Sequence, residues 1–318
     1  MLRRRLALVL VPLVLAAACG GGGGDDGGGA GPARSTTTTA AAQTGAAALC
    51  ARAEPVGTSP DVAAADLPEG SGIATSRANA GIVWSHNDSG GQPEVFAIGE
   101  DDGADRGRWK LAGATAVDWE DIARGPGPGG VDMLYLADIG DNLAARASVT
   151  VYRAREPRVG PGKAGGTIDG VEALTLRYAD GPHDAEALLA DPVSGDLVIV
   201  TKTADGTSGA YPIPRGAAPG RTITLQRAAS VAVPKGELVT SGDVSPDGSL
   251  VALRTYRTVL VWDRAEGRSV AQALTGHPCE APAPSERQGE ALAFMPDGEG
   301  YVTLSEGKNP PLNRFHLP

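Results

Sequence analysis

The chain has 318 residues, with 28 Lys and Arg against 38 Asp and Glu and a formal net charge of −10. Hydrophobic residues at 42% suffice for a core, and the acidic balance argues against nucleic acid or an anionic lipid surface as a partner. Three cysteines leave room for one disulfide and an odd thiol.

At the N-terminus, Arg3, Arg4 and Arg5 precede an apolar run at 6–15, then Ala16-Ala17-Ala18 and Cys19. This is the pattern of a secretion signal, and the run is shorter than the ~20 residues that span a bilayer. The segment resembles a bacterial lipoprotein signal, which implies removal of residues 1–18, lipidation of Cys19 and anchoring at the outer face of the cell membrane. Ordinary signal cleavage after the Ala-x-Ala is the alternative. Removing 1–18 deletes three arginines and takes the net charge from −10 to −13. Residues 19–48 are almost wholly Gly, Ala, Thr and Asp, a composition that cannot bury enough apolar surface to order itself and predicts a disordered tether. The folded domain is expected at 49–318.

Within it one phrase recurs, a small or acidic pair leading a short apolar strand, with anchors at Ile73, Ile122, Leu188, Val244 and Leu292, spaced 49, 66, 56 and 48 residues apart. Recurrence at roughly 40–50 residues with several short strands per unit predicts an all-β fold, a β-propeller. Turns at 191–196, 245–248 and 295–298 carry Pro, Asp and Gly, residues suited to a tight turn. Second strands are predicted at 82–84, 133–136, 197–201, 250–253 and 301–304. Third strands are predicted at 94–98, 149–154, 259–263 and 313–317, and fourth strands at 174–178, 223–225 and 270–274. The last unit stops after its third strand, so residues 49–56 are expected to close the ring, because an open edge invites aggregation. Five blades result, with a sixth possible in the long second unit near residues 158–166.

The Pro-Asp-Gly turns resemble those of TolB-type propellers, and Trp262-Asp263 followed by Thr275-Gly276-His277 resembles one unit of a tryptophan–aspartate repeat. The resemblance covers about residues 70–318 and implies the fold, with His277 as an inter-blade histidine. With Cys19 lipidated, Cys50 and Cys279 remain as a pair in an oxidising compartment, and a bridge would tie the N-terminal strand to the last blade; two free thiols are the alternative. Closing so long a loop stabilises by about 4–5 kcal/mol in the chain-entropy model.

In each hairpin the start of the first strand and the end of the second share one end, opposite the Pro-Asp-Gly turns. One propeller face therefore collects Asp118, Glu120, Asp121, Asp184, Glu186, Asp243 and Glu290 from strand starts. Strand ends add His86, Asn87, Asp88, Asp138, Asp141, Asn142, Lys202, Arg254, Tyr256 and Glu306. Glu120, Glu186 and Glu290 sit at equivalent positions and should ring the channel mouth. Carboxylates held together repel unless a cation lies among them, and hard oxygen donors suit Ca2+. The alternative is that these acids bond backbone amides of neighbouring blades and hold the ring together. His86 and His183 are read as hydrogen-bonded structural side chains, and Ser89 as part of a glycine turn.

Two functions are compatible with this reading. One is a monomeric, membrane-anchored binding module whose acidic face takes an envelope protein, glycan or small ligand. The other is a calcium-dependent hydrolase, since residues 184–187 resemble, over a few positions, the acidic pairs of propeller phytases and esterase-like propellers. Phosphate-ester hydrolysis would also need cationic clamps, for which only Lys202 and Arg254 are placed.

Overall fold

The structure, a computed structural model, describes residues 45–318. The predicted signal segment, Cys19 and most of the predicted tether lie outside the described residues. Five antiparallel-cored sheets form five blades whose innermost strands are Gly70–Thr75, Trp119–Pro126, Ala185–Ala190, Val239–Val244 and Gly289–Phe294. Each of these strands touches the innermost strands of the blades on either side, so the ring is closed. The fold is all-β, as the repeat predicts.

The inner strands are rich in Gly, Ala and Ser because five strands converge near one axis. At Gly72 a Cβ would lie 2.6 Å from the Ile122 amide nitrogen and 2.7 Å from the Asp121 Cα, so only glycine lets the first two blades close. The apolar core is divided among the seams between blades. Trp84 and Trp109 of the first blade, edge to face at 5.4 Å, pack with Trp119 and Leu136 of the second. Leu174 and Tyr135 of the second meet Leu188 and Ile199 of the third. Burial of each such side chain contributes about 1.5–3 kcal/mol. The Pro-Asp-Gly turns lie where predicted, with Gly248 and Gly298 at φ 76° and 75°, a conformation open to glycine at little cost.

The long second unit does not hold a sixth blade. Its connection crosses back and adds Ala164–Ile168 as a parallel fifth strand to the outer strand Asp105–Leu111 of the first blade. The segment 223–225 repeats the device: it pairs in parallel with Glu172–Tyr178 at the edge of the second blade, and the fourth strand of its own blade is Ala229–Ala232. The predicted strand at 270–274 is instead a helical turn, Val270–Ala273, closed by a capping box of Ser269 and Gln272. The fourth strand there is Cys279–Ala281.

Closure by the N-terminus is observed in shorter form. Residues Ala46–Arg52 are helical, so order begins inside the stretch read as tether, and only Glu54–Pro55 pair with Asn313–His316 of the fifth blade. Cys50 and Cys279 form a disulfide, 6.1 Å between Cα atoms. It ties that helix to the outer strand of the fourth blade, not to the fifth as expected. The helix packs on Val259, Val261 and Phe315, so the bridge spans the seam where the ring closes.

Candidate functional site

Each inner strand opens with a β-bulge, at Ser71, Glu120, Glu186, Thr240 and Glu290. A bulge re-aims a side chain that regular alternation would place elsewhere. In the fourth blade the equivalent of Glu120 is Thr240. Asp243 lies three residues further along, towards the turn end, where it accepts the Val244 and Phe294 amides at 2.8 Å near Arg124 and Arg77. The sequence register was off by two there, because Gly242-Asp243 imitates the small-acidic pair of the other copies.

The hydroxyl-bearing bulges hold the ring together: Ser71 Oγ donates to the Glu120 carbonyl at 2.7 Å and Thr240 Oγ1 to the Gly289 carbonyl at 2.8 Å. The glutamates do not. Glu120, 4% exposed, accepts no hydrogen bond from the described residues and lies beside Asp88 and Asp118. Glu186 takes Lys202, whose ammonium also donates to the Tyr256 hydroxyl at 2.9 Å. Glu290 sits near Glu306, which accepts from Gln288 at 2.7 Å.

Burial and mutual repulsion dominate the electrostatics of this cup. Burial first, then Glu186, Asp88 and Asp118, push the Glu120 carboxyl up to about 11. Burial pushes Glu186 up to about 8 despite Lys202, and burial with Glu306 pushes Glu290 up to about 7. Asp88 rises to about 6 for the same reasons, burial first and Asp118 next. Burial disfavours the Lys202 ammonium, but Glu186 and Tyr256 more than offset it and hold it above the usual range.

Asp121 floors the cup and is purely architectural. It is fully buried, and its carboxylate reaches across the axis to accept the Leu188 amide at 2.9 Å, Ser241 Oγ at 3.1 Å and the Gly242 amide at 3.3 Å, besides its neighbour Ile122 at 3.0 Å. Asp138 accepts from the Val117 and Asp118 amides and pairs with Arg146 at 2.7 Å. Asp141 accepts the Ala145 and Arg146 amides and donates its own amide to Asp184 at 2.9 Å. Asp121 thus bonds amides of other blades, whereas Asp138 and Asp141 bond amides of their own.

The other expected site residues divide. Asn87 caps the 66–69 loop, donating to the Asp66 carbonyl and accepting the Glu69 amide, while Asn142 is exposed. His86 and Arg254 leave the face altogether. They occupy equivalent places, next to last in the second strand, and each packs on the first residue of the next inner strand. His86 meets Trp119 edge-on at 5.7 Å, with burial lowering its pKa to about 4. Arg254 is wholly buried and pairs with Glu286 at 2.6 Å. A Cβ at Gly289 would lie 2.6 Å from its Cζ, so the glycine makes room for it. His183 bonds Asp180 and Tyr211 at the rim, whereas His277 is exposed and does not serve as an inter-blade histidine.

Tyr256, expected on this face from its strand end, shares Lys202 with Glu186. Sequence reasoning missed two features of the face. Gly140 faces the carboxylates of Asp118 and Glu120, where any Cβ would collide. Leu143 and Val117, 88% and 56% exposed, flank the cup on the second blade. The isolated glycine after a strand was the legible signal for the first of these. Grooves of about 750 and 630 Å³ lie among the turn loops of the opposite face, the first lined by Asp247, Asp263, Arg264 and Arg268 among others and the second by Pro126, Val193 and Pro214. Comparison with known proteins finds no family model and no curated protein that matches the chain.

Proposed function

We propose that the protein is an exported binding module, held to the outer face of the cell membrane through lipidated Cys19, whose acidic cup receives a cationic group of an envelope protein, glycan or small ligand. One observation carries the reading: a single backbone position, bulged in all five blades, aims glutamates at the mouth in three of them and leaves Glu120 without a donor. Buried carboxylates held together cost stability, and such groups are kept where they work. The cup already holds one ammonium, Lys202, between Glu186 and the Tyr256 hydroxyl, 5.1 Å from that ring's centre. The exposed Leu143 and Val117 offer apolar contact beside the charge. The hydrolase reading is weaker, because both clamps it needs are engaged: Lys202 by Glu186 and Arg254 by Glu286 in a closed seam.

Calorimetric titration of the full-length protein with a short lysine-containing peptide tests the module. Saturable binding, lost in Glu290→Gln and weakened by salt, is expected. No heat of binding, or binding indifferent to Glu290→Gln, would remove the reading. Membrane release of Cys19→Ala checks the anchor in the same preparation.

A further inference from the structure

We propose that Asp88, Asp118 and Glu120 form a site for one Ca2+ ion at the edge of the cup, between the first and second blades. The proposal rests on the reading of the cup as a receiver of cations, and it adds a specific ion, three ligands and a place distinct from the Lys202 side.

One carboxylate oxygen from each of the three residues lies within 4.8 Å of the other two. Acidic side chains do cluster without ions, so the state of each group decides the matter. Glu120 is 4% exposed and accepts nothing from the described residues, although the adjacent Asp121 is satisfied by four donors. A largely buried carboxylate without a donor loses much of the solvation it had in water, and it either holds a proton or takes a cationic partner. Asp118 spends its amide on Asp138, and its own carboxylate takes no hydrogen bond from the described residues. Asp88 accepts, among the described residues, only the amide of Ser89. The two nearest protein cations are committed: Lys202 to Glu186 and Tyr256, Arg146 to Asp138 and the Gly140 carbonyl.

Room is reserved as well. A Cβ at residue 140 would lie 2.5 Å from Asp118 Oδ2 and closer still to Glu120 Oε1, so both carboxylates face the one residue that has no side chain. The donors favour Ca2+, which takes hard oxygens in a flexible geometry at about 2.3–2.6 Å, whereas Mg2+ demands near-ideal octahedral placement at about 2.0–2.1 Å. Three hard carboxyl oxygens supply half or less of the 6–8 donors Ca2+ takes, and the half-buried Asp88 and Asp118 leave the remaining positions open to water.

Trp119 adjoins Glu120, which provides an optical readout. Terbium, a Ca2+ substitute, is titrated into the full-length protein while emission sensitised by tryptophan is followed, and Ca2+ or Mg2+ is then added in competition. Saturable emission at one ion per chain, displaced by Ca2+ at concentrations at least about tenfold below Mg2+, is expected. Asp118→Asn and Glu120→Gln, each checked for an intact cooperative melt, should weaken it by about tenfold or more, and Glu290→Gln should leave it within about threefold. Asp88→Asn replaces either variant that fails to fold. Absence of saturable emission, or equal loss in Glu290→Gln, overturns the site. Loss of ion binding with peptide binding retained sinks this site alone; loss of peptide binding with the ion retained sinks the cationic-partner reading instead.

Discussion

Glu120 and Asp121 are neighbours in one strand and have opposite fates. The bulge turns Glu120 into the cup, while Asp121 points across the axis and gathers donors from the third and fourth blades. Truncating Asp121 to Ala strands at least three buried donors at once, so Asp121→Ala should cost about 3–5 kcal/mol, read as a lowered denaturation midpoint. A loss below ~1 kcal/mol would mean that the floor of the cup is not what ties the ring. The residue types of the cup were legible in the sequence because the glutamates recur at one place in three units. The role of Asp121 was not, since its partners Ser241 and Gly242 lie 120 and 121 residues away and no local pattern announces them. His86 and Arg254 were misplaced for a related reason: a strand's end gives the height of a residue on the blade, but not whether its side chain faces the seam or the mouth.

Among the elements, hairpins were readable and exchanges between blades were not. Pro-Asp-Gly turns and apolar pairs of strands fix each blade locally. The outer strands Ala164–Ile168 and Ile223–Leu225 pair with the preceding blade in parallel, a choice set by tertiary neighbours rather than by their own residues. The closing pair is equally indirect, with two residues, Glu54 and Pro55, completing a sheet that begins more than 200 positions later. So short a strand contributes little by itself, and the Cys50–Cys279 bridge stands beside it with a separation of 229 residues. Replacing both cysteines by Ser should lower stability by up to about 5 kcal/mol in the chain-entropy model, with the native fold retained in oxidising buffer. An unchanged denaturation midpoint would show that helix packing alone closes the ring.

For the whole molecule, the cup is a cost that the blades must carry. Glu290, pushed up to about 7, binds its proton in the fold at a pH where the unfolded chain has released it. Its contribution is therefore fully present below about 4.5 and lost as pH rises to about 7, which leaves the ionised group destabilising by on the order of 2–3 kcal/mol. Glu290→Gln should accordingly melt higher than the parent at pH 8 and nearly with it at pH 4, and the reverse order would place Glu290 in a compensated site. The cup is defined by carboxyls that converge without enough protein positive charge to balance them. Carbon-detected NMR titration of glutamate carboxyls measures that directly. In protein freed of metal by chelator, a glutamate still protonated at neutral pH is expected, assigned to Glu120 by its loss in Glu120→Gln, with others titrating near 8 and 7 for Glu186 and Glu290. Titration of every glutamate within about one unit of the ordinary 4.3 would contradict it.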